Sequence, residues 1–180
     1  MTLPLGPACG NVTRGAARGY SGSRTRHTPN VEHAELVIES QDGWTLAIGG
    51  WTITRLYFDP YAVGVAINGG TGDAFHAYIE ASFTYRDADG SEQLFAPGEG
   101  APTLAPLLSL LNRTVETVRV SRDGTLLIAF SDGTRISVPP DPDYEAWNGG
   151  LDEIGFISTP GGRDLVVRKP DRDLLVRKPS

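Results

Sequence analysis

The chain of 180 residues has the length of one domain, with 39% hydrophobic and 21% charged residues, as is typical of a globular protein. The single cysteine, Cys9, cannot form an internal disulfide, so a disulfide-stapled fold is excluded. No apolar run approaches the roughly 18 residues of a membrane span, and residues 1–10 lack the basic and apolar regions of a signal sequence. We therefore expect a cytoplasmic protein without a membrane segment.

The net charge of −6 is distributed unevenly along the chain. Residues 1–31 carry a net +4 and residues 163–180 a net +3, whereas residues 32–162 carry 19 acids against six arginines, a net −13. An acidic region repels phosphate backbones, so we expect no nucleic-acid binding by the folded core. The same charge suits a basic partner protein, although it also favours solubility by itself.

The composition predicts three regions along the chain. Residues 1–31 are rich in Gly, Ser, Thr, Arg and Pro and have almost no large apolar side chains, so they cannot offset the entropy of ordering a backbone. We predict that they form a disordered basic arm. A single β-rich domain is predicted over residues 35–168, followed by a basic tail repeat over residues 169–180.

Alternation of apolar and polar residues predicts mostly strands after the arm. Val63, Val65 and Ile67 share one face of a strand, and two Asp-Gly turns, at residues 123–124 and 132–133, separate β-branched runs as in a meander. The predicted strands span residues 36–38, 44–48, 51–58, 62–67, 75–86, 92–95, 114–120, 125–130, 135–138, 151–158 and 164–168.

One helix is predicted, over residues 102–111. Pro102 suits a first turn, Asn112 is a plausible stop, and leucines recur at helical spacing between them. The pattern of residues 53–67 is echoed by residues 115–130, which predicts two β-meanders of similar design linked by this helix. A meander with one apolar face needs a partner sheet, so we predict a mainly β fold, packed as a sandwich or barrel.

The end of the chain contains a tandem repeat. Residues 163–171 and 172–180 are identical at seven of nine positions, and both lysines of the chain lie in them. The simpler interpretation is a duplication whose second copy is frayed, because termini tolerate such additions. The alternative is a basic hook for an acidic surface.

Residues 130–147 resemble a family of uncharacterised small bacterial β-rich domains. Its signature is a strand ending in F-x-D-G, a second strand, a Pro/Asp-rich loop with a Y-E-A-W box, and a hairpin containing P-G-G, here residues 160–162. The resemblance covers residues 50–167, and it departs at residues 148–150, where Asn-Gly-Gly replaces a longer polar turn. It implies the β fold but no activity. Some such domains occur among toxin and immunity cargo, which implies an immunity-type role.

The Pro/Asp-rich loop is the first candidate site. Its acids and aromatic residues could form a face for a basic partner, since rigid aromatic anchors lose little entropy on binding. They could equally be packing residues that close one end of the sheet. The candidate residues are Asp141, Asp143, Tyr144, Glu145 and Trp147.

The alternative site is a pocket containing Asp73, His76 and Glu80. Asp73 could orient His76 if the preceding glycine-rich loop folded back, but a hydrolase would still need a nucleophile. That loop also lacks the lysine and helix of a phosphate-binding loop. No cofactor and no metal site are expected, because Ala146 occupies the position where a calcium loop needs glycine.

Two function classes therefore remain open on the sequence alone, which does not determine the function. The first is a non-enzymatic, acidic, cytoplasmic binding protein, of the immunity type, for a basic protein. The second is a small-ligand-binding protein or hydrolytic enzyme with a barrel-mouth pocket near His76. The first is favoured, because no set of nucleophile, base and orienting group is evident.

Overall fold

A computed structural model describes residues 36–70, 72–151, 153–162 and 164–177. The predicted arm of residues 1–31 lies outside the described residues. The described residues form fourteen strands: β1 Val37–Glu39, β2 Gly43–Leu46, β3 Thr52–Phe58, β4 Val63–Asn68, β5 Ala74–Ile79, β6 Phe83–Arg86, β7 Glu92–Phe95, β8 Val115–Ser121, β9 Leu126–Phe130, β10 Arg135–Val138, β11 Trp147–Leu151, β12 Ile154–Ser158, β13 Asp164–Lys169 and β14 Arg172–Arg177.

The strands form two seven-stranded antiparallel sheets, which confirms the predicted mainly β, sandwich-like fold. Sheet A has the order β1-β2-β8-β9-β10-β6-β7, and sheet B has the order β14-β13-β12-β11-β5-β4-β3. Alternate side chains of both sheets form one buried apolar cluster. Val63, Val65 and Ile67, for example, are 1%, 1% and 0% exposed, as their strict alternation predicts.

The two predicted meanders lie in different sheets. Strands β3, β4 and β5 are consecutive neighbours in sheet B, and β8, β9 and β10 are consecutive neighbours in sheet A. Their first strands begin side by side, through a bridge between Thr52 and Thr114 and a hydrogen bond of 2.9 Å from the Gly50 N–H to the Val115 carbonyl. The two repeated units therefore meet where each begins.

The predicted strand over residues 75–86 is wrong, because the chain changes sheets in its middle. Strand β5 ends at Ile79 in sheet B, and β6 begins at Phe83 in sheet A. At the crossing, the N–H groups of Glu80 and Ala81 both donate to the Ala146 carbonyl, at 2.9 and 3.0 Å. An apolar run can serve two sheets in succession when its buried side chains face a shared core.

The predicted helix is shorter and tighter than expected. A single α-helical turn, α1, spans Ala101–Leu104, and a 3-10 helix continues over Ala105–Leu110. Asn112 has a positive φ of 64°, in agreement with its predicted role as a stop. Among the described residues, no helix is long and apolar enough to cross a membrane.

The leucines of this segment follow the 3-10 period. Leu104, Leu107 and Leu110 are buried, whereas Leu108 and Leu111 are exposed. Leu108 and Leu111 fit the predicted helical spacing of 3.6 residues per turn, but the 3-10 geometry leaves them exposed. A 3-10 helix has three residues per turn, so every third side chain lies on the same side of the helix.

The predicted strand over residues 151–158 is instead a hairpin. Strand β11 pairs with β12 and, on its other side, with β5. Its two glycines suggested a turn, but they lie where backbones approach closely. A Cβ on Gly149 would lie 2.6 Å from the His76 carbonyl oxygen, and one on Gly150 would lie 2.6 Å from that of Ile154.

Residues 172–177 of the second copy of the tail repeat form a strand, so the interpretation of a frayed copy is wrong for these residues. Strand β14 pairs with β13 over six residue pairs, from Asp164↔Arg177 to Lys169↔Arg172. It forms one edge of sheet B. Its Leu174 and Val176 are half-buried against the core, which explains why this copy is ordered rather than loose.

Candidate functional site

Trp147, a predicted member of the partner face, is fully buried. Its side chain is 0% exposed, and its indole Nε1–H donates to the Gly124 carbonyl over 2.7 Å. Trp147 is therefore a packing residue and does not belong to a surface that a partner could touch. The packing interpretation of the Y-E-A-W box is correct for this residue.

The loop before Trp147 is held by the carboxylate of Asp141. Its Oδ1 accepts the N–H groups of Asp143 and Tyr144, at 2.9 and 3.4 Å, as in an Asx turn. The Asp141 carbonyl accepts the N–H of Gly161 at 2.8 Å, which ties the loop to the P-G-G segment. Tyr144 is 51% exposed on this constrained backbone.

A second Asp-Pro turn, at Asp59, presents another tyrosine in the same way. The Asp59 Oδ1 accepts the N–H groups of Tyr61 and Ala62, at 2.8 and 2.7 Å. Tyr61 is 80% exposed. Tyr61 was not predicted as a site residue, although the order Asp-Pro-Tyr at residues 59–61 resembles Asp-Pro-Asp-Tyr at residues 141–144 and could have indicated it.

The two tyrosines border one cavity of about 460 Å³, here called the Tyr–Glu cavity. Its walls come from four parts of the chain: the two Asp-Pro turns, the β5–β6 crossing and the segment after β7. None of the described residues that line it is basic. The lining residues are Tyr61, Glu80, Ser82, Ala96, Pro97, Gly98, Glu99 and Tyr144.

The electrostatics of the cavity are acidic. The pKa of Glu80 is raised above its ordinary value of 4.5, first by partial burial and then by the negative charges of Glu145 and Asp59. Glu145 is half-buried, and its Oε1 accepts a hydrogen bond of 2.8 Å from the Asn148 amide. Glu80 therefore lies in the cavity within the repulsive field of two acids that are outside the cavity lining, Glu145 and Asp59.

His76 lies in a separate trough on the outer face of sheet B. The cross-strand register places Gly150 and Gly155 between His76 and Arg168. Because glycine has no side chain, the backbone of β11 and β12 forms the floor of the trough. The trough has a volume of about 410 Å³, and its walls include Tyr78, Glu145, Asn148 and Ile157. His76 is exposed there.

The structure does not bring Asp73, His76 and Glu80 together as one site. Asp73 immediately precedes the six-residue strand β5 and Glu80 immediately follows it, so their Cα atoms are about 23 Å apart along an extended strand. Neither lies among the residues that line the His76 trough, whereas Glu80 lines the Tyr–Glu cavity. Within the described part of the chain, no group of three or more His, Cys, Asp or Glu side chains is placed to hold a metal ion.

The fold and its surface define a class of protein: a two-sheet antiparallel β-sandwich with an acidic, tyrosine-lined cavity at one sheet crossing. The chain belongs to a family of unknown function (DUF6188), which matches residues 44–168. That range begins in β2 and ends in β13, and it confirms the resemblance to an uncharacterised family. No curated protein and no solved structure matches the chain.

Proposed function

We propose that this chain is a non-enzymatic, acidic cytoplasmic binding protein whose Tyr–Glu cavity receives an arginine or lysine side chain of a basic partner protein. The observation that carries the proposal is the convergence of Tyr61, Tyr144, Glu80 and Glu99 on one cavity. Aromatic rings and carboxylates are the two kinds of group that attract an organic cation. A cation–π contact contributes about 0.5–2 kcal/mol, and a hydrogen bond to a charged group roughly 1.5–3 kcal/mol.

The raised pKa of Glu80 supports a cationic ligand. Glu80 and its acidic neighbours repel one another in the free protein, and the largest cause of the shift is the loss of solvent around Glu80. A bound cation relieves both costs, since it neutralises the charges and replaces lost water contacts. Binding of a cation is therefore expected to return the pKa of Glu80 towards its ordinary value.

The two Asp-Pro turns support tight binding by limiting the entropy cost. Asp59 and Asp141 fix the backbones that carry Tyr61 and Tyr144 through hydrogen bonds to the tyrosine N–H groups. Aromatic anchors on constrained loops lose little conformational freedom when a partner docks. The net charge of −13 over residues 32–162 adds long-range attraction for a basic protein.

The partner class that we propose is a basic toxin, which this chain would neutralise as an immunity protein. The support is the acidic charge of the domain and its resemblance to domains found among toxin and immunity cargo. Occupation of the cavity by an arginine or lysine of the toxin would place the acidic surface over the toxin's basic one. Such complementarity gives specificity and a fast association rate.

The alternative, a hydrolytic enzyme near His76, has less support. The residues that line its trough include no serine, threonine or cysteine, and acyl transfer usually needs such a nucleophile next to a base. His76 is also exposed on an open sheet face rather than enclosed.

Calorimetric titration with a nona-arginine peptide tests the proposal. The variant Glu80→Gln/Glu99→Gln is expected to bind at least about tenfold more weakly than the wild type, since two charged contacts are lost. The variant Tyr61→Ala/Tyr144→Ala should also bind more weakly without any change in net charge. Equal binding by wild type and both variants would contradict the proposal.

A matched control separates the cavity from diffuse attraction. The variant Asp89→Asn/Glu92→Gln removes the same number of charges at the far end of the β6–β7 hairpin. It should retain an affinity within about twofold of the wild type at 0.15 M salt, because screening limits remote charges. If it weakens binding as much as Glu80→Gln/Glu99→Gln does, the attraction is a property of the whole surface and the cavity is not the site.

A further inference from the structure

The pairing of β13 with β14 is symmetric with respect to the repeat that both strands contain. Val166 and Leu175 are each the fourth residue of their nine-residue copy, and they lie opposite each other. On either side of this central pair, Leu165 faces Val176 and Val167 faces Leu174. The third and fifth positions of one copy thus meet the fifth and third positions of the other. The repeat pairs with itself, antiparallel, about an approximate two-fold axis.

The charged positions of the repeat obey the same symmetry. The second residue of each copy is aspartate and the sixth is arginine, and the register places Asp164 opposite Arg177 and Arg168 opposite Asp173. The Arg168 Nε lies 3.9 Å from the Asp173 carboxylate. The opposite charges of Arg168 and Asp173, in a direct cross-strand pair, favour this register over a shifted one.

The second copy lies beyond the part of the chain that defines the family. The family match ends at residue 168, inside β13, so β14 lies outside the matched range. Without β14, the outer edge of β13 would be an unpaired strand edge, which is a template for pairing with another chain.

We infer that the outer edge of β13 is a self-association edge, whose fitting partner is β13 of a second copy of this chain, and that β14 occupies this edge from within the same molecule. In the two-fold dimer, Val166 faces Val166 of the second copy, and Asp164 faces its Arg168. The register is the one that β14 adopts, and only the central position differs in residue type, since β14 places Leu175 opposite Val166. The tail repeat is thus an internal substitute for a dimer partner, and its displacement converts a monomer into a dimer joined by one continuous sheet.

Displacement of β14 in the full-length chain tests the inference. Leu174→Pro with Val176→Pro removes two backbone donors and two half-buried contacts from the edge strand. This variant is expected to sediment at twice the 19.3 kDa monomer mass, whereas the wild type sediments as a monomer. A second variant, Leu174→Asp with Val176→Asp, displaces β14 by charge without proline, and the same dimer is expected. A monomeric, folded displaced variant would overturn the inference, and so would a wild-type dimer.

A charge exchange tests the register of that dimer. In a variant whose β14 is displaced, Arg168→Asp places an aspartate opposite Asp164 of the other copy. The two-fold symmetry creates this repulsive pair twice, so the dimer should dissociate. Adding Asp164→Arg restores opposite charges and should restore the dimer. A dimer that ignores both changes does not use this edge in this register, and the inference would be wrong.

Cysteine trapping applies the same test to the otherwise intact chain. In a Cys9→Ser background, Val166→Cys lies on the two-fold axis, where antiparallel Cα atoms are about 4.5–5.5 Å apart, within the range of a disulfide. Edge strands open locally, so a disulfide-linked dimer should accumulate under oxidation. Arg168→Cys is the matched control, since in the proposed dimer residue 168 would face residue 164 of the second copy and not its own symmetry mate. Trapping at 168 in preference to 166 would refute the proposed symmetry.

Discussion

The indole nitrogen of Trp147 and the carbonyl oxygen of Gly124 are joined by a buried hydrogen bond of 2.7 Å that connects the two sheets. Trp147 begins β11 in sheet B, and Gly124 lies in the turn between β8 and β9 of sheet A. Gly124 has a φ of 90°, a conformation that glycine adopts without strain. One Asp-Gly turn therefore accepts the only polar group of the largest buried side chain.

Replacement of Trp147 by alanine should be strongly destabilising. The substitution leaves a large cavity and an unpaired carbonyl, so the free energy of unfolding should fall by about 3–5 kcal/mol. Trp147→Phe retains most of the packing but leaves the Gly124 carbonyl without its donor, at a cost of roughly 1–3 kcal/mol. Urea unfolding followed by circular dichroism measures both. An alanine variant as stable as the wild type would show that Trp147 is not a packing residue.

The sequence predicted those parts of the fold that depend on local patterns. Strict alternation, as at Val63, Val65 and Ile67, and Asp-Gly turns, as at residues 123–124, specify strands and hairpins through neighbouring residues alone. The crossing at Glu80 could not be predicted in this way, because it depends on a distant acceptor, the Ala146 carbonyl. The register of β14 could not be predicted from local patterns either, because it is defined by the residues of another strand, β13.

The candidate site was predicted only in part, for a similar reason. Tyr144 and Glu145 were identified from one contiguous segment, and both lie at the surface or partly exposed. Tyr61 and Glu99 were missed because they approach Tyr144 only through the packing of separate elements. Trp147 was included because an aromatic residue near acids is typical of both an interface and a core, and only burial distinguishes the two.

The glycines of β11 should be intolerant of any side chain. Gly149→Ala forces a Cβ to 2.6 Å from the backbone oxygen of His76, so the strands must move apart. We expect a loss of about 1–3 kcal/mol in the free energy of unfolding, as for other overpacked sites. Gly98→Ala is the control, because its Cβ would meet nothing within 4 Å. Equal stability of the two variants in thermal melts would contradict the close approach.

The Asp59 turn should control the position of Tyr61. Asp59→Ala removes the acceptor of two backbone N–H groups, which should cost about 1–2 kcal/mol in stability and loosen the turn. Affinity for the nona-arginine peptide should fall as well, because Tyr61 loses its rigid backbone. Asp59→Asn keeps an acceptor oxygen at the same place and should retain the turn. Amide exchange at Tyr61 and Ala62 reports the turn directly, and unchanged protection in the alanine variant would refute this role.

Glu80 should make stability depend on pH in an identifiable direction. Its pKa is raised in the folded protein, so the folded state favours the protonated form, and stability is lost as pH rises through the folded-state pKa. Glu80→Gln should therefore be more stable than the wild type at about pH 7, by less than roughly 1 kcal/mol because Glu80 is largely solvated. The difference should vanish at about pH 3.5, where the glutamate is protonated in both states.

A double-mutant comparison identifies the cause of this shift. In a Glu145→Gln background, the stability gain from Glu80→Gln at neutral pH should shrink, because one of the repelling charges is already absent. Urea unfolding of the four proteins at the two pH values provides the test. A gain that is the same with and without the Glu145 charge would show that partial burial alone raises the pKa of Glu80.

Glu145→Lys tests the proposed partner surface through the electrostatic neighbour of Glu80. Glu145 is half-buried and makes one hydrogen bond, with the Asn148 amide, so its loss should lower the free energy of unfolding by about 1 kcal/mol. Binding should change far more. The lysine places a positive charge beside Glu80, where it competes with an incoming cation, and affinity for the nona-arginine peptide should fall by at least about tenfold.

Glu145→Gln is the matched control for this variant. It keeps an acceptor for the Asn148 amide and removes one negative charge, so its affinity for the nona-arginine peptide should lie between those of the wild type and of Glu145→Lys. That order follows from charge alone, whereas a binding loss caused by disturbed packing would be accompanied by a fall in the free energy of unfolding of Glu145→Lys well beyond the roughly 1 kcal/mol of the lost hydrogen bond. If a folded Glu145→Lys protein binds the peptide as tightly as the wild type, the loop of residues 141–145 is not part of the binding surface. That outcome would also contradict the proposed site, because Tyr144 of this loop lines the Tyr–Glu cavity.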